Sequence, residues 1–344
     1  MAYNRSLRTT VLGIILIVSA WFAAAPAAQE PFYKNKTVRI IVGGSAGGGY
    51  DTYTRAIARH LGKHIPGNPT FVVENMTGAG SIIAANYVYK VAKPDGLTMC
   101  HFIGGIILQQ VLGKPGIEFD GRKFLYLGVP AQDTTSVGVT KASGVTSMEQ
   151  RLSTKTPVKF GGIGPGTATD DLPKMLRATL GLPIQLVTGY KGTADIRLAV
   201  NSGEMQGLVN SWESFKSTWT REIDTGAINI ILVGIPQRHP DIPNVPSIGE
   251  FAKTDEAKKL IQVAVYDYGA TARPYVFPPG TPKDRVQILR KGLSDTLKDP
   301  DFLADAQRAH LDLNPINGED LEKIVARIYK LEPQLTEKLK EILK

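Results

Sequence analysis

The sequence predicts an α/β protein of two similar domains with a ligand cleft between them. Three observations carry that prediction. Apolar runs of strand length alternate with helix-periodic stretches. Each half of the chain repeats the order strand, glycine-rich loop, helix twice over. About 315 residues beyond an N-terminal leader also exceed what one hydrophobic core usually serves.

The N-terminus reads as an export signal. Arg5 and Arg8 precede an uncharged run from Thr9 to Gln29 that contains Ala25-Pro26-Ala27, the small-x-small pattern of a cleavage site. Its strongly apolar part, Val11 to Ala25, is short for a bilayer span. Residues 1–27 are therefore expected to be removed, which lowers the formal net charge from +8 to +6 because two arginines and no acids are lost.

In the mature chain "TVRIIV" (37–42) is a strand and "GGSAGGGYD" its loop. Tyr53, Ile57, Leu61 and Ile65 recur every four residues, the apolar face of a helix that Pro66-Gly67 ends. "TFVVE" (70–74) is a second strand, "NMTGAGS" a second small-residue loop and "IIAANYVYKVA" a second helix. Pro94-Asp95-Gly96 turns into a third strand, "LTMCHFI". This βαβαβ order implies parallel strands joined by right-handed crossovers. The order restarts at "VKFGG" (158–162), with "IGPGTATDD" as the third loop. "LPKMLRATLG" is the helix that follows, with Pro173 in its first turn and Gly181 at its end. Next come the strand "IQLV", the fourth loop "TGYKGTAD", the helix "IRLAVNSG" and the strand "MQGLVN". Beyond "INIILVG" and the proline-rich "PQRHPDIPNVP", residues 282–344 read as helices.

Composition excludes some functions. The balance of 42% apolar and 21% charged residues is that of soluble globular domains. Acids interleave with the basic residues, as in "LEPQLTEKLKEILK", and no basic run carries aromatics, so nucleic acid is excluded as a partner. Cys100 is the single cysteine; it allows no intramolecular disulfide and reads as a buried thiol.

Three catalytic or cofactor motifs are approached and missed. Gly43-Gly44-Ser45-Ala46-Gly47 fits the G-x-S-x-G nucleophile elbow, and Asp267 and His310 follow in the order a hydrolase needs. The elbow's oxyanion hole draws on an earlier strand of the same sheet, however, and only about ten mature residues precede "TVRIIV". The first loop is also placed like a dinucleotide-binding turn, with Glu74 ending the second strand, but G-x-G-x-x-G fails in every register and Walker A is missing. His60 and His64 stand four apart, yet Leu61 occupies the position where a zincin needs Glu, so they read as two solvated histidines. No metal or cofactor is expected.

What the four loops share is a lack of bulky side chains and a helix immediately after them. Free backbone N–H groups and the positive end of a helix dipole favour an anion there. The hydroxyls of Ser45, Thr77, Ser81, Thr167 and Thr169 add donors. All four loops follow strand carboxyl ends, where open α/β sheets bind ligands. If the two domains face each other, the loops converge on one cleft.

"VRIIVGGSAGGGYDTYTRAIARHLGKHIPGNPTFVVENMTGAGS", then "KPDG", "FGGIGPGTATDDLP", "GYKGTADIRLAV", "HPDIPNVPSIGEF" and "PPGTPKDRVQILRKGL" run in an order that resembles Bug-type solute receptors. These are the extracytoplasmic substrate-binding proteins of tripartite tricarboxylate transporters. The resemblance implies a fold like the type II periplasmic binding proteins, closing on a small organic carboxylate. It also implies a discontinuous first domain, residues 31–131 and 263–344, around a second of residues 132–262. By the same resemblance, Ser45, Ala46, Gly47, Gly48 and Asp51 of the first loop and Gly78, Ala79 and Gly80 of the second would hold the carboxylate. Gly166, Thr167 and Thr169 would face them, with Tyr190 and Asn210 nearby. The protein would be a periplasmic monomer that hands its ligand to the membrane subunits of such a transporter. Three passages depart from the family pattern: Gly78-Ala79-Gly80-Ser81 replaces "GAGG", Gly189-Tyr190-Lys191-Gly192 replaces "PYKG", and "ARPYVFPPGTP" replaces "GLFAPAGTP". Asp51 fits either a ligand contact or a first-turn helix acid; the helix role is favoured because it needs no special ligand. An exported serine hydrolase using Ser45 and a ligand-presenting sensor module are the alternatives.

Overall fold

The computed structural model describes residues 30–344, so the expected export signal lies outside the described residues. Eleven strands are described among them: β1 (Thr37–Val42), β2 (Thr70–Asn75), β3 (Thr98–His101), β4 (Leu125–Val129), β5 (Thr135–Thr140), β6 (Val158–Gly161), β7 (Ile184–Val187), β8 (Gly207–Ser211), β9 (Ile228–Val233), β10 (Tyr275–Phe277) and β11 (Ile316–Asn317). They form two sheets, ordered β11-β4-β10-β3-β1-β2 and β7-β6-β8-β5-β9. The helices that follow the four small-residue loops are α1 (Gly49–Leu61), α2 (Ile82–Lys90), α3 (Ala168–Leu180) and α4 (Thr193–Asn201).

β1 pairs in parallel with β2 and β3, and β6 with β7 and β8, as βαβαβ order requires. Antiparallel strands that the alternation did not reveal also appear: β10 between β3 and β4 and the short β11 beside β4, within the stretch 282–344 expected to be helices, and β5 between β8 and β9. Chain direction explains β5 and β10. The chain leaves the first sheet at the carboxyl end of β4 and enters the second beside the carboxyl end of β8, where Thr135 pairs with Ser211. It returns beside the carboxyl end of β3, where Tyr275 pairs with His101. A strand that starts at the loop end of its neighbours must run against them. Two short segments, 130–134 and 272–274, make these crossings.

Apolar side chains cover both faces of each sheet. Val38 and Ile40 of β1 pack with Tyr53, Ile57 and Leu61 of α1, while Ile41 faces Ala84, Ala85 and Val88 of α2. In the second sheet Val209 packs against Met175 and Leu176 of α3, and Leu208 against Ile196 of α4. The last helix, Pro333–Leu343, crosses over: Leu339 and Leu343 join the α3 core, and Lys174 Nζ donates to the carbonyls of Leu343 (3.1 Å) and Lys344 (2.8 Å). Cys100 is buried, and burial pushes its thiol far above the ordinary range.

Two sequence expectations need correction. His60 and His64 are not solvated: each faces an aspartate of the helix Pro300–Arg308 or its cap, His60 with Asp305 at 2.6 Å and His64 with Asp299 at 2.8 Å. Four-residue spacing puts both rings on one face, His60 in α1 and His64 in the short turn Gly62–His64 that continues it, and that face meets another helix rather than water. Pro173 lies inside α3 rather than in its first turn, because the helix begins at Ala168. Asp170 and Asp171, which look like loop residues in the sequence, are that first turn.

The crossings are tied together by a buried ion pair. Arg273, fully buried just before β10, donates through Nε to Asp133 of the other crossing segment. Its Nη2 donates to Ser211 Oγ (2.7 Å) and Ser214 Oγ (2.6 Å), and the guanidinium lies 4.9 and 4.6 Å from the ring centres of Tyr50 and Tyr53 on α1. Glu213 stands beside the pair and accepts from the Thr134 N–H at 2.9 Å. Burial and then the negative charge of Asp133 push the Glu213 carboxyl up to about 7. Asp133→Asn and Arg273→Met are each expected to lower stability by roughly 3–5 kcal/mol, the cost of leaving a buried charge without its partner. The double variant should lose less than the sum. Denaturant midpoints with their slopes check this, and additive losses would mean the pair does not couple the crossings.

Candidate functional site

The loops meet in two pairs. The first touches the fourth: a Cβ added at Gly192 would stand 2.1 Å from Ser45 Oγ and 2.6 Å from Ser45 N, an approach that only glycine permits. Thr193 Oγ1 packs against Gly48 beside it. The second touches the third: a Cβ at Gly80 would stand 3.0 Å from the Pro165 carbonyl and 3.2 Å from Thr167 Cγ2. The carboxyl ends of the two sheets thus face each other with their loops in contact, a closed arrangement.

Local chemistry sets each loop's shape. Along the second loop φ is positive at four consecutive residues: Gly78 (126°), Ala79 (47°), Gly80 (62°) and Ser81 (77°). Two of them carry side chains, a conformation that surroundings must enforce. Ser81 supplies the enforcement. Its buried Oγ donates to the Gly43 carbonyl (3.1 Å) and accepts from the Ile103 N–H (3.2 Å), which fastens the second loop to the ends of β1 and β3. Ser81 is thus a brace, and so accounts for one departure from the family pattern.

Carboxylates of the chain itself occupy some of the loop donors. Asp51, in the first turn of α1, accepts from Gly47 N (2.8 Å), Asn75 Nδ2 (3.0 Å) and Arg55 Nε (2.9 Å). Burial raises its carboxyl, but Arg55 and the Gly47 N–H outweigh burial and hold it below the usual range. In the third loop Asp170 accepts from Gly164 N (2.7 Å), and Asp171 from Gly166 N (3.1 Å) and from Gln109 Nε2 (3.2 Å) of the facing helix Ile106–Val111. The third loop's hydroxyls are also engaged: Thr167 Oγ1 donates to the Gly164 carbonyl (2.6 Å), and Thr169 Oγ1 accepts from Ile163 N (3.1 Å). Gly47, Gly166, Thr167 and Thr169 therefore brace the loops, where the sequence reading had them free as donors.

Other expected residues keep unsatisfied atoms. The Ser45 Oγ and the Nδ2 of Asn210, itself 6% exposed, have no hydrogen-bond partner among the described residues. No described side-chain or loop acceptor takes the N–H groups of Ser45, Ala46, Gly78, Ala79 or Gly80. Ala46 and Ala79 are exposed, while Gly48 and Gly80 are buried at the loop contacts. Tyr190 is turned outward, its hydroxyl donating to Glu204 at 2.8 Å. The nominal hydrolase partners stand elsewhere: Asp267 accepts from Gln262, and His310 is exposed beyond the helix Pro300–Arg308.

Sequence reasoning missed Asp170, Asp171, Arg273 and Asp133. The acids at 170–171 did carry a signal, since a small-residue loop followed by two acids is a helix start. Arg273 carried none.

Comparison with known proteins comes down to one family. A model described as "Tripartite tricarboxylate transporter family receptor" matches residues 54–340. A curated relative, "UPF0065 protein in gbd 5'region" of Cupriavidus necator, is 24% identical over 322 residues, covering 92% of each chain. Among solved structures, periplasmic binding protein BugD superposes with a TM-score of 0.75 at 23% identity, over 90% of this chain and 98% of that one. MatC from Rhodopseudomonas palustris with bound malate gives 0.69 at 19% identity, over 90% and 99%. R. palustris Rpa4515 with adipate gives 0.71 at 21% identity, over 88% and 97%.

Asp171 makes the site's stability pH-dependent. Burial pushes its carboxyl up to about 7, against the pull of the Gly166 N–H and Lys174. A folded-state value above the unfolded one means that the native state holds the proton more tightly, so stability is full below the unfolded value, near 4, and falls as pH rises through 7. Asp171→Asn should remove this share of the loss: it should raise the melting temperature relative to wild type more at pH 8 than at pH 5. An offset that does not change with pH would show that Asp171 does not titrate in that window.

Proposed function

The chain belongs to the tripartite tricarboxylate transporter receptor family, and we propose that it closes on a small organic carboxylate between its two sheets and delivers it to membrane subunits of such a transporter. The observation that carries this reading is the pairwise meeting of the four loops, with donors of Ser45, Ala46 and Gly78–Gly80 left open on them and Asn210 Nδ2 unpartnered near the end of β8. Backbone N–H groups at helix starts favour an anion. The family and the carboxylates named with its structural neighbours, malate and adipate, point the same way.

In this reading residues 31–131 and 272–344 form one body and residues 132–271 the other, the join falling later than the expected 262/263 because Ala264 and Val265 pack in the α3 core, with the last helix lying across the join. Ligand contacts from both bodies stabilise the closed arrangement over an open one. The protein acts as a monomer in the periplasm after removal of residues 1–27, and it turns over nothing. Ser45 is a hydrogen-bond donor rather than a nucleophile, since no described base reaches its Oγ. Asp51 serves the helix and the first loop, not the ligand.

A panel of mono-, di- and aromatic carboxylates is expected to contain thermal stabilisers, worth about 2.7 kcal/mol at about 100 times the dissociation constant. Neutral amides of the same acids should do little, and equal stabilisation by acid and amide would overturn the anion site. Ser45→Ala should weaken the best acid by roughly 0.5–1.5 kcal/mol. Ala79 is exposed and already holds a Cβ at φ 47°, so Ala79→Leu adds bulk at little further backbone cost. It should abolish binding in calorimetric titration while leaving the unliganded melting temperature nearly unchanged. Intact affinity would remove the second loop from the site.

A further inference from the structure

We infer that a second small-molecule site, independent of the cleft, lies behind the loop that follows β3 and takes an α-amino acid with an apolar side chain. A cavity of about 230 Å³ opens there between the segment Asp267–Thr271 and the helix Gly318–Ile328, with Gly104 and Gly105 as its floor. Its walls are stripes that do not close on each other. Ile324, Ile328 and Leu331 follow one another at helical spacing on one side, and Val263 and Ala270 stand opposite. All five are only half-buried, although Leu321 and Val325 of the same helix are fully buried in the core under the first sheet. Val263, Ile328 and Leu331 rest on the α3 core and leave the chamber between the two walls.

The rim has a distinct chemistry. Asp267 stands on one wall and Arg327 on the other, both exposed. The Asp267 carboxylate accepts from Gln262 Nε2 at 2.8 Å, and neither residue forms an ion pair among the described residues. One anion and one cation above an apolar chamber complement a zwitterion with an apolar side chain: carboxylate to Arg327, ammonium to Asp267, side chain inward. A plain carboxylate would leave its apolar body beside an unanswered Asp267, and a plain amine would do the same at Arg327.

The chain's geometry links this site to closure. The wall carrying Val263 is a π-helical turn, Gln262–Tyr266, and such wide turns recur at functional positions. That wall continues through Thr271 into Arg273 at the crossing. The floor residue Gly105 touches the third loop on its far side, since a Cβ there would stand 2.0 Å from the Gly166 carbonyl. An amino acid seated here contacts elements of both cores and favours their closed arrangement.

Calorimetric titration of the whole protein with L-phenylalanine and L-leucine tests the site, using 3-phenylpropanoate and phenethylamine as probes lacking one charge. Saturable binding of the amino acids is expected, with each single-charge probe at least tenfold weaker. Arg327→Gln and Asp267→Asn, both surface changes, should each weaken L-phenylalanine at least tenfold. Ala270→Phe should fill the chamber and abolish binding, whereas Ala79→Leu, which blocks the cleft, should leave it intact. Absence of binding at millimolar L-phenylalanine, equal affinity for 3-phenylpropanoate, or undiminished affinity in Ala270→Phe would each overturn the proposal. Loss of L-phenylalanine binding in Ala79→Leu alone would place the amino acid in the cleft and overturn it as well, without touching the carboxylate reading.

Discussion

Everything that must move or meet in this protein is referred to the buried pair of Arg273 and Asp133. Each belongs to one of the two segments by which the chain passes between the sheets. Arg273 also holds Ser211 and Ser214 from the second sheet's end and lies against Tyr50 and Tyr53 of α1, beneath the first loop. A guanidinium suits this position because its planar fork keeps its charge while answering several acceptors at once. Burying such a pair gains little net stability over a well-packed apolar cluster. What it provides is a fixed register between two segments of irregular backbone, which have no ladder of hydrogen bonds to align them. The proposed closure would bend the chain at these crossings, and a buried ionic link constrains how they bend.

A second constraint is electrostatic and concerns the loops. Four helix starts aimed at one junction concentrate partial positive charge, which favours an anion but also strains the ligand-free protein. The chain moderates this with its own carboxylates: Asp51 on the first loop, Asp170 and Asp171 on the third. The second loop has none. Its donors stay open, held out by a run of left-handed residues that Ser81 pins in place. In the proposed site Gly78 to Gly80 would therefore be the strongest anion-attracting surface, with the first and third loops shaping the junction around it.

Much of this was legible in the sequence. Strand β1 falls where its apolar run predicts, because a parallel strand buried on both faces leaves a near-continuous apolar signal; β7 also falls where predicted, although it is an edge strand with Gln185 exposed. The four loops were readable because glycine and small residues cluster where the backbone must approach another backbone. The antiparallel β5 and β10 were not, since a crossing strand carries the same composition as its neighbours and is distinguished only by where the chain enters. His60 and His64 were misjudged for a related reason: spacing shows that they share a face but not what that face meets. Asp171 and Gln109 illustrate the limit best. They sit far apart in sequence, each an ordinary helix residue, and only the facing of two sheets makes them partners.

The site also shows why a family fold can serve different ligands. Donors supplied by the backbone read negative charge without reading the rest of the molecule, so the loops can persist while specificity shifts to the few side chains at their edges. In the proposed site those are Ser45 and Asn210, whose Oγ and Nδ2 have no protein partner among the described residues, while Asn210 Oδ1 accepts from the Ser211 N–H at 3.0 Å. A buried hydroxyl or amide left unanswered costs about 1–3 kcal/mol. A ligand that answers both therefore gains over one that answers neither, even when both present the same carboxylate to Gly78–Gly80. Tyr190, whose hydroxyl donates to Glu204, is not among those side chains in the proposed site. On the proposed site, discrimination among small carboxylates would rest on acceptors placed opposite Ser45 and Asn210 rather than on charge, which all of them share.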